Sequence, residues 1–180
     1  EKQSASERLK ATLSVMPSNL EIARFEAVSD WYHFAILEAL KLANCATPRN
    51  LARRLDISES VCRSALNRML LLGVVEKTGD DQFTWTDDQI VGNSTRSEAI
   101  QNYHLQYMEK AVEAISTRPM DERTFNTLVL GIKRKDETKL KARIEGFIDE
   151  INEEFACDEP ERIVAIISHL FRIDHEGDKQ

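Results

Sequence analysis

Apolar residues recur along this chain mostly at helical spacing, and one short stretch alternates instead. Leu9, Leu13 and Met16 share a helical face that ends at Pro17. A second helix is predicted over about residues 24–43, with Phe34, Leu37 and Leu40 on a broad buried face flanked by Trp31, Ile36 and Ala43. Thr47 and Pro48 then open a short helix, because Thr can cap and Pro at the first position forfeits no hydrogen bond. Its Leu51, Ala52 and Leu55 point inward. Asp56, Ile57 and Ser58 form a tight turn, and Ser58 caps a helix over 59–72 whose first turn carries Glu59. Val61, Ala65, Leu66, Met69 and Leu70 make its apolar face, and Gly73 ends it as a left-handed residue. Residues 74–77 and 82–86 predict two strands around a turn at 78–81, with Phe83 and Trp85 alternating against polar neighbours. Helix, turn, helix, hairpin is the order of a winged helix-turn-helix.

Beyond a loop over 87–94, Thr95 and Glu98 match a capping box. The helix it opens runs to about Ser116, with an apolar stripe of Ile100, Tyr103, Tyr107, Ala111, Ala114 and Ile115, and stops at Arg118 and Pro119. Residues 125–132 (FNTLVLGI) predict a strand. Asp136 is expected to cap a long helix in which Leu140, Ile144, Phe147, Ile148, Ile151 and Phe155 repeat at helical spacing. Residues 162–172 fit a buried strand or a short helix, and the β-branched Ile163, Val164, Ile166 and Ile167 favour strand. The fold class expected is therefore α+β, mainly helical: a winged helix-turn-helix, a helix, and a C-terminal strand–helix–strand domain. Its boundaries fall at 1–23 (N-terminal helical segment), 24–95 (winged helix with its preceding helix), 96–120 (connecting helix) and 121–175 (dimerisation or sensing domain). Two strands alone make a poor sheet, so a second subunit is expected to complete it.

The 180 residues carry a net charge of −7, which taken whole argues against nucleic acid. The charge is unevenly spread. Residues 47–86 hold six basic and five acidic groups, whereas residues 121–180 alone carry −5. No apolar run approaches the roughly 20 residues of a membrane span, and the start has no signal core. The missing initiator Met suggests a trimmed chain. Cys45, Cys62 and Cys157 are odd in number and far apart, which argues for reduced thiols in the cytoplasm and against zinc. Phosphate-loop, dinucleotide, GxSxG and HExxH motifs are missing, so neither an enzyme nor a cofactor is expected.

Several short motifs carry a resemblance over about residues 24–173. They are Trp31, Tyr32 and His33 with Ala35 and Ile36; Leu51 and Ala52 through Leu55, Ile57 and Ser58; Leu72 and Gly73 with Glu76, Lys77, Thr86 and Asp87; Ala99 and Ile100 with Asn102, Tyr103 and His104; and Leu128 to Ile132. In these the chain resembles a bacterial domain-of-unknown-function family of predicted winged helix-turn-helix transcriptional regulators, abundant in predatory and fibre-degrading bacteria. The resemblance implies a winged helix followed by an α/β domain, commonly with a further helical segment upstream.

If the module reads DNA, Ser60, Arg63, Ser64, Asn67 and Arg68 lie off the apolar face of the 59–72 helix and suit base edges and phosphates. Thr47, Arg49, Arg53, Arg54 and Lys77 are candidates for backbone phosphates. Against this, the hairpin tip at Asp80 and Asp81 is acidic. The function expected is a DNA-binding transcriptional regulator that dimerises through its C-terminal domain. The alternative is a protein-interaction or small-molecule-sensing module whose winged helix touches no DNA. A sensor would have a pocket between the Trp31–His33 and Tyr103–His104 helices, for an effector of small-molecule or protein kind. His33 and His104 could instead share acid–base work, though two polar side chains closing a helix contact is the plainer reading. Cys62, next to Arg63, raises a redox switch against a plain thiol.

Overall fold

A computed structural model describes residues 24–86 and 98–174. The expected helix around Leu9, Leu13 and Met16 and the Thr95 cap lie outside the described residues. Among the described residues the chain is mainly helical, with one small two-stranded antiparallel sheet. The elements are α1 (Trp31–Leu40), α2 (Pro48–Leu55), α3 (Glu59–Leu71), β1 (Val75–Gly79), β2 (Gln82–Trp85), α4 (Glu98–Thr117) and α5 (Glu137–Phe155). Two compact units divide it. One runs to Val112 and takes in Glu159–Ile163; the other comprises Glu113–Asp158 and the residues from Val164 onward. Among the described residues no helix is long and apolar enough to cross a membrane.

The helix expected over 24–43 is broken. Residues 24–27 are helical, the chain turns at Val28 to Asp30, and α1 starts afresh at Trp31. Asp30 is extended (φ −71°, ψ 141°) and its carboxylate bonds elsewhere, so the helix cannot run through it. The deepest face of α1 also differs from expectation: His33, Ile36, Ala39 and Leu40 are buried, while Ala43 is exposed.

Local chemistry sets the next elements. Thr47 Oγ1 accepts from the Asn50 amide (3.3 Å) and Pro48 occupies the first position of α2. Asp56 ends α2 in the left-handed region (φ 53°), and Ser58 Oγ accepts from the Val61 amide (3.2 Å) to start α3. Gly73 (φ 76°) ends α3. Its amide donates to the Leu70 carbonyl and the Val74 amide to that of Met69, which is a Schellman closure. Arg24 reaches the Leu72 carbonyl (3.1 Å) at the same helix end.

β1 and β2 pair antiparallel with Val75 opposite Trp85 and Lys77 opposite Phe83, and the register shifts between Lys77 and Gly79. The Phe83 amide also donates to the Ala46 carbonyl (2.8 Å), tying the hairpin to the loop before α2. Ile36, Leu51, Cys62, Ala65, Leu66, Met69 and Val74, all fully buried, form the core where α1, α2, α3 and the hairpin meet. Burying a Leu, Ile or Met side chain stabilises by roughly 1.5–3 kcal/mol, so this core carries the first unit.

The second unit departs from the expected strand–helix–strand. Its helix exists, as α5, but residues 125–132 and 162–172 contain neither strand nor helix. A strand needs a neighbour for its ladder, and in this single chain the two apolar segments do not supply one to each other. Asp136 does not cap α5. It already has helical angles within a 3-10 turn (Arg134–Asp136) and its side chain makes no capping bond.

Candidate nucleic-acid interface

The exposed side of α3 is what remains after Cys62, Ala65, Leu66 and Met69 turn into the core. Ser60, Arg63, Ser64 and Asn67 are exposed there; Val61, expected inward, is 36% exposed. On α2, Arg49, Arg53 and Arg54 are all exposed, and Arg54 donates to the Glu161 carbonyl (3.0 Å). Thr47 is occupied with its cap. Lys77 stands over the Phe83 ring at 5.6 Å.

The two α3 arginines have different surroundings. Arg63 makes a two-point ion pair with Asp81 at the hairpin tip, Nη1 to Oδ1 at 2.6 Å and Nη2 to Oδ2 at 2.7 Å. Its Nε and Nη2 also donate to Glu59 Oε1. Hydrogen bonds from Arg63 hold the Asp81 carboxyl below its usual range. The acidic tip thus neutralises the most prominent base of α3.

Arg68 turns inward and is half-buried. Its Nη2 and Nε donate to His33 Nε2 (3.0 and 3.3 Å), and Nη2 also reaches the Tyr32 hydroxyl (3.3 Å). Arginine can only donate, so His33 Nε2 must be the acceptor and Nδ1–H points at the Asp30 carbonyl (3.2 Å). Burial, with the nearby Arg68 charge, lowers the His33 pKa to about 4. The ring is neutral at pH 7.

Asp30 completes this cluster. Its Oδ2 accepts from Tyr32 (2.6 Å) and its Oδ1 from Gln106 on α4 (3.1 Å), whose Oε1 in turn accepts from the Trp31 amide (3.0 Å). Burial works to raise the Asp30 carboxyl, but the Tyr32 and Gln106 bonds outweigh it and hold it low. Tyr32, Ser60, Val61, Ser64 and Arg68 line a shallow open dish of about 250 Å³ beside the cluster.

His33 and His104 do not share a site: one is buried, the other exposed on α4 beside Tyr103. Aromatic rings pack between the Trp31–His33 and Tyr103–His104 helices. Tyr103 lies 5.8 Å from Phe25, 5.4 Å from Phe34 and 4.9 Å from Tyr107. Cys62 is fully buried and desolvation pushes its thiol up to about 11, which removes the redox-switch reading. Asp30, Gln106 and the Arg63–Asp81 pair escaped the sequence reading. The acidic tip facing an Arg-bearing helix was the one signal for the last.

A family model described as Domain of unknown function (DUF4423) matches residues 11–173. No curated protein and no solved structure matches the chain.

Proposed function

This chain belongs to the DUF4423 family, a domain of unknown function, and on that premise we propose that its first unit is a winged helix-turn-helix by which a cytoplasmic bacterial transcription regulator reads DNA. The observation that supports this most is the polar exposed side of α3, with Ser60, Arg63, Ser64 and Asn67 together, next to three exposed arginines on α2. In this reading α3 is the recognition helix and enters the major groove. Arg63 reads a base edge, and Arg49 and Arg53 neutralise phosphates. Arg68 has a different role from the one expected: it organises the Asp30–Tyr32–His33 cluster under the recognition helix.

The Arg63–Asp81 pair does not veto the reading. Both partners are roughly half exposed, and exposed ion pairs stabilise weakly because water screens them. A guanine edge offers Arg63 a bidentate alternative. The carboxylates of Glu59 and Asp81 repel phosphates in the meantime, which disfavours indiscriminate binding.

The test is a salt-dependent titration of the intact protein on duplexes selected from a random pool. Arg63→Ala should weaken the best site by at least about tenfold, the worth of a bidentate base contact. Arg49→Ala with Arg53→Ala should weaken all duplexes and flatten the salt dependence. Equal binding of the best site without Arg63 would defeat the assignment.

The protein-interaction reading draws on the same ion pair: a face carrying Glu59, Arg63 and Asp81 is close to neutral and suits a protein surface as well. Intact protein that binds no selected duplex would favour it.

A further inference from the structure

Among the described residues the second unit buries nothing. Leu128, Val129, Val164 and Phe171 are each more than 70% exposed, and α5 has no buried residue. Large apolar side chains exposed to water in this way mark a surface that a partner can cover. On α5 itself Phe147 is 55% exposed, and Leu140, Ile144 and Ile151 are half-buried rather than enclosed.

Leu140, Ile144, Phe147 and Ile151 recur at spacings of four, three and four, the seam of a two-helix coiled coil. The charge along the same stretch is strongly polar. Residues 133–143 hold six basic and two acidic groups, whereas residues 144–159 hold seven acidic groups and no base. A parallel copy would oppose like ends. An antiparallel copy sets each basic half on an acidic half, and one chain supplies both.

We propose that α5 packs antiparallel against α5 of a second copy of this chain across a two-fold axis, along the Leu140, Ile144, Phe147 and Ile151 seam. In this register Ile144 layers with the partner's Phe147 and Leu140 with the partner's Ile151. Arg143 then flanks the seam opposite the partner's Glu150. Among the described residues neither Arg143 nor Glu150 has an ion pair within its own chain. Lys141, on the other flank, is already engaged by Glu137 at 2.9 Å. This contact needs no DNA, and mass and cross-links report on it independently of DNA binding.

Sedimentation equilibrium of the chain should give a dimer. Arg143→Glu and Glu150→Arg, each introducing two like-charge contacts per dimer, should each weaken the dimer roughly tenfold. The double reversal should restore it, and circular dichroism should show helix retained in all three. A strict monomer, single variants of unchanged mass, or a double variant no better than the singles would overturn the interface. Cys157, exposed and free, reports direction. The 19 residues of α5 span about 28 Å, so antiparallel copies hold their Cys157 thiols at opposite ends. Mild oxidation should leave the dimer uncrosslinked, and a rapid Cys157–Cys157 bridge would overturn the antiparallel arrangement.

Discussion

Arg63 on α3 and Asp81 at the hairpin tip meet face to face, with both guanidinium Nη atoms on both carboxylate oxygens at 2.6 and 2.7 Å. The pair pins the β1–β2 tip beside the exposed side of α3. It also masks the charge that a nucleic acid would seek. Asp81 pays for this position with left-handed backbone (φ 59°).

Asp81→Asn should therefore unmask Arg63. The expected outcome is tighter, less selective binding of random duplex DNA, with the slope of log affinity against log salt steeper by about one. Fluorescence anisotropy at several salt concentrations measures both. An unchanged slope would place Arg63 away from the DNA.

His33 makes stability depend on pH. Its pKa falls from 6.5 to about 4 on folding, so between those values the unfolded chain binds a proton that the folded one refuses. The neutral ring's contribution is complete above pH 6.5 and is lost as pH falls toward 4. The loss should amount to about 2–3 kcal/mol. Urea unfolding at pH 7 and pH 4.5 measures it. His33→Gln, which cannot take up that proton, should flatten the dependence over this window.

Arg68 and His33 should behave as a coupled pair. Arg68→Ala removes the donors to Nε2 and a positive charge that holds the imidazole neutral. The His33 pKa, followed by NMR, should rise in that variant. A double-mutant cycle with His33→Phe should return a coupling of about 1 kcal/mol. Additive losses would mean that the two side chains are bystanders.

Gly73→Ala isolates backbone strain. An added Cβ would meet nothing within 4 Å, so packing is not the obstacle, but φ is 76°. The expected cost is about 1 kcal/mol in urea unfolding. Gly146, inside α5 and equally uncrowded, should respond in the opposite direction because Ala favours a helix interior.

The thiols should separate by location. Cys157 should react with a thiol reagent in the folded protein, while Cys45 and Cys62 should react only on unfolding.

Legibility in the sequence tracked distance along the chain. Thr47, Ser58 and Gly73 act within three to five residues of themselves, so their types and spacing announce the ends of α2 and α3. The break at Asp30 was hidden because what holds that carboxylate includes Gln106, 76 residues away. Arg68 looked like a groove-facing base because it lies off the apolar face of α3. Its acceptor, 35 residues upstream, was invisible to helical periodicity. The β-branched run at 162–172 has strand propensity, but propensity without a ladder partner makes no strand.

By itself the sequence determined the caps at Thr47 and Ser58, the turn at Asp56, the order of helices and hairpin in the first unit, and the charge polarity of α5. These follow from local bonds and from periodicities that each segment carries with it. Only the tertiary structure decided that Arg63 is clamped by the hairpin tip, that Arg68 serves a buried neutral His33, and that the second unit buries no core among its described residues. The reason is physical: burial, desolvation and pairing belong to what surrounds a side chain, and those surroundings are assembled from residues far apart in the chain.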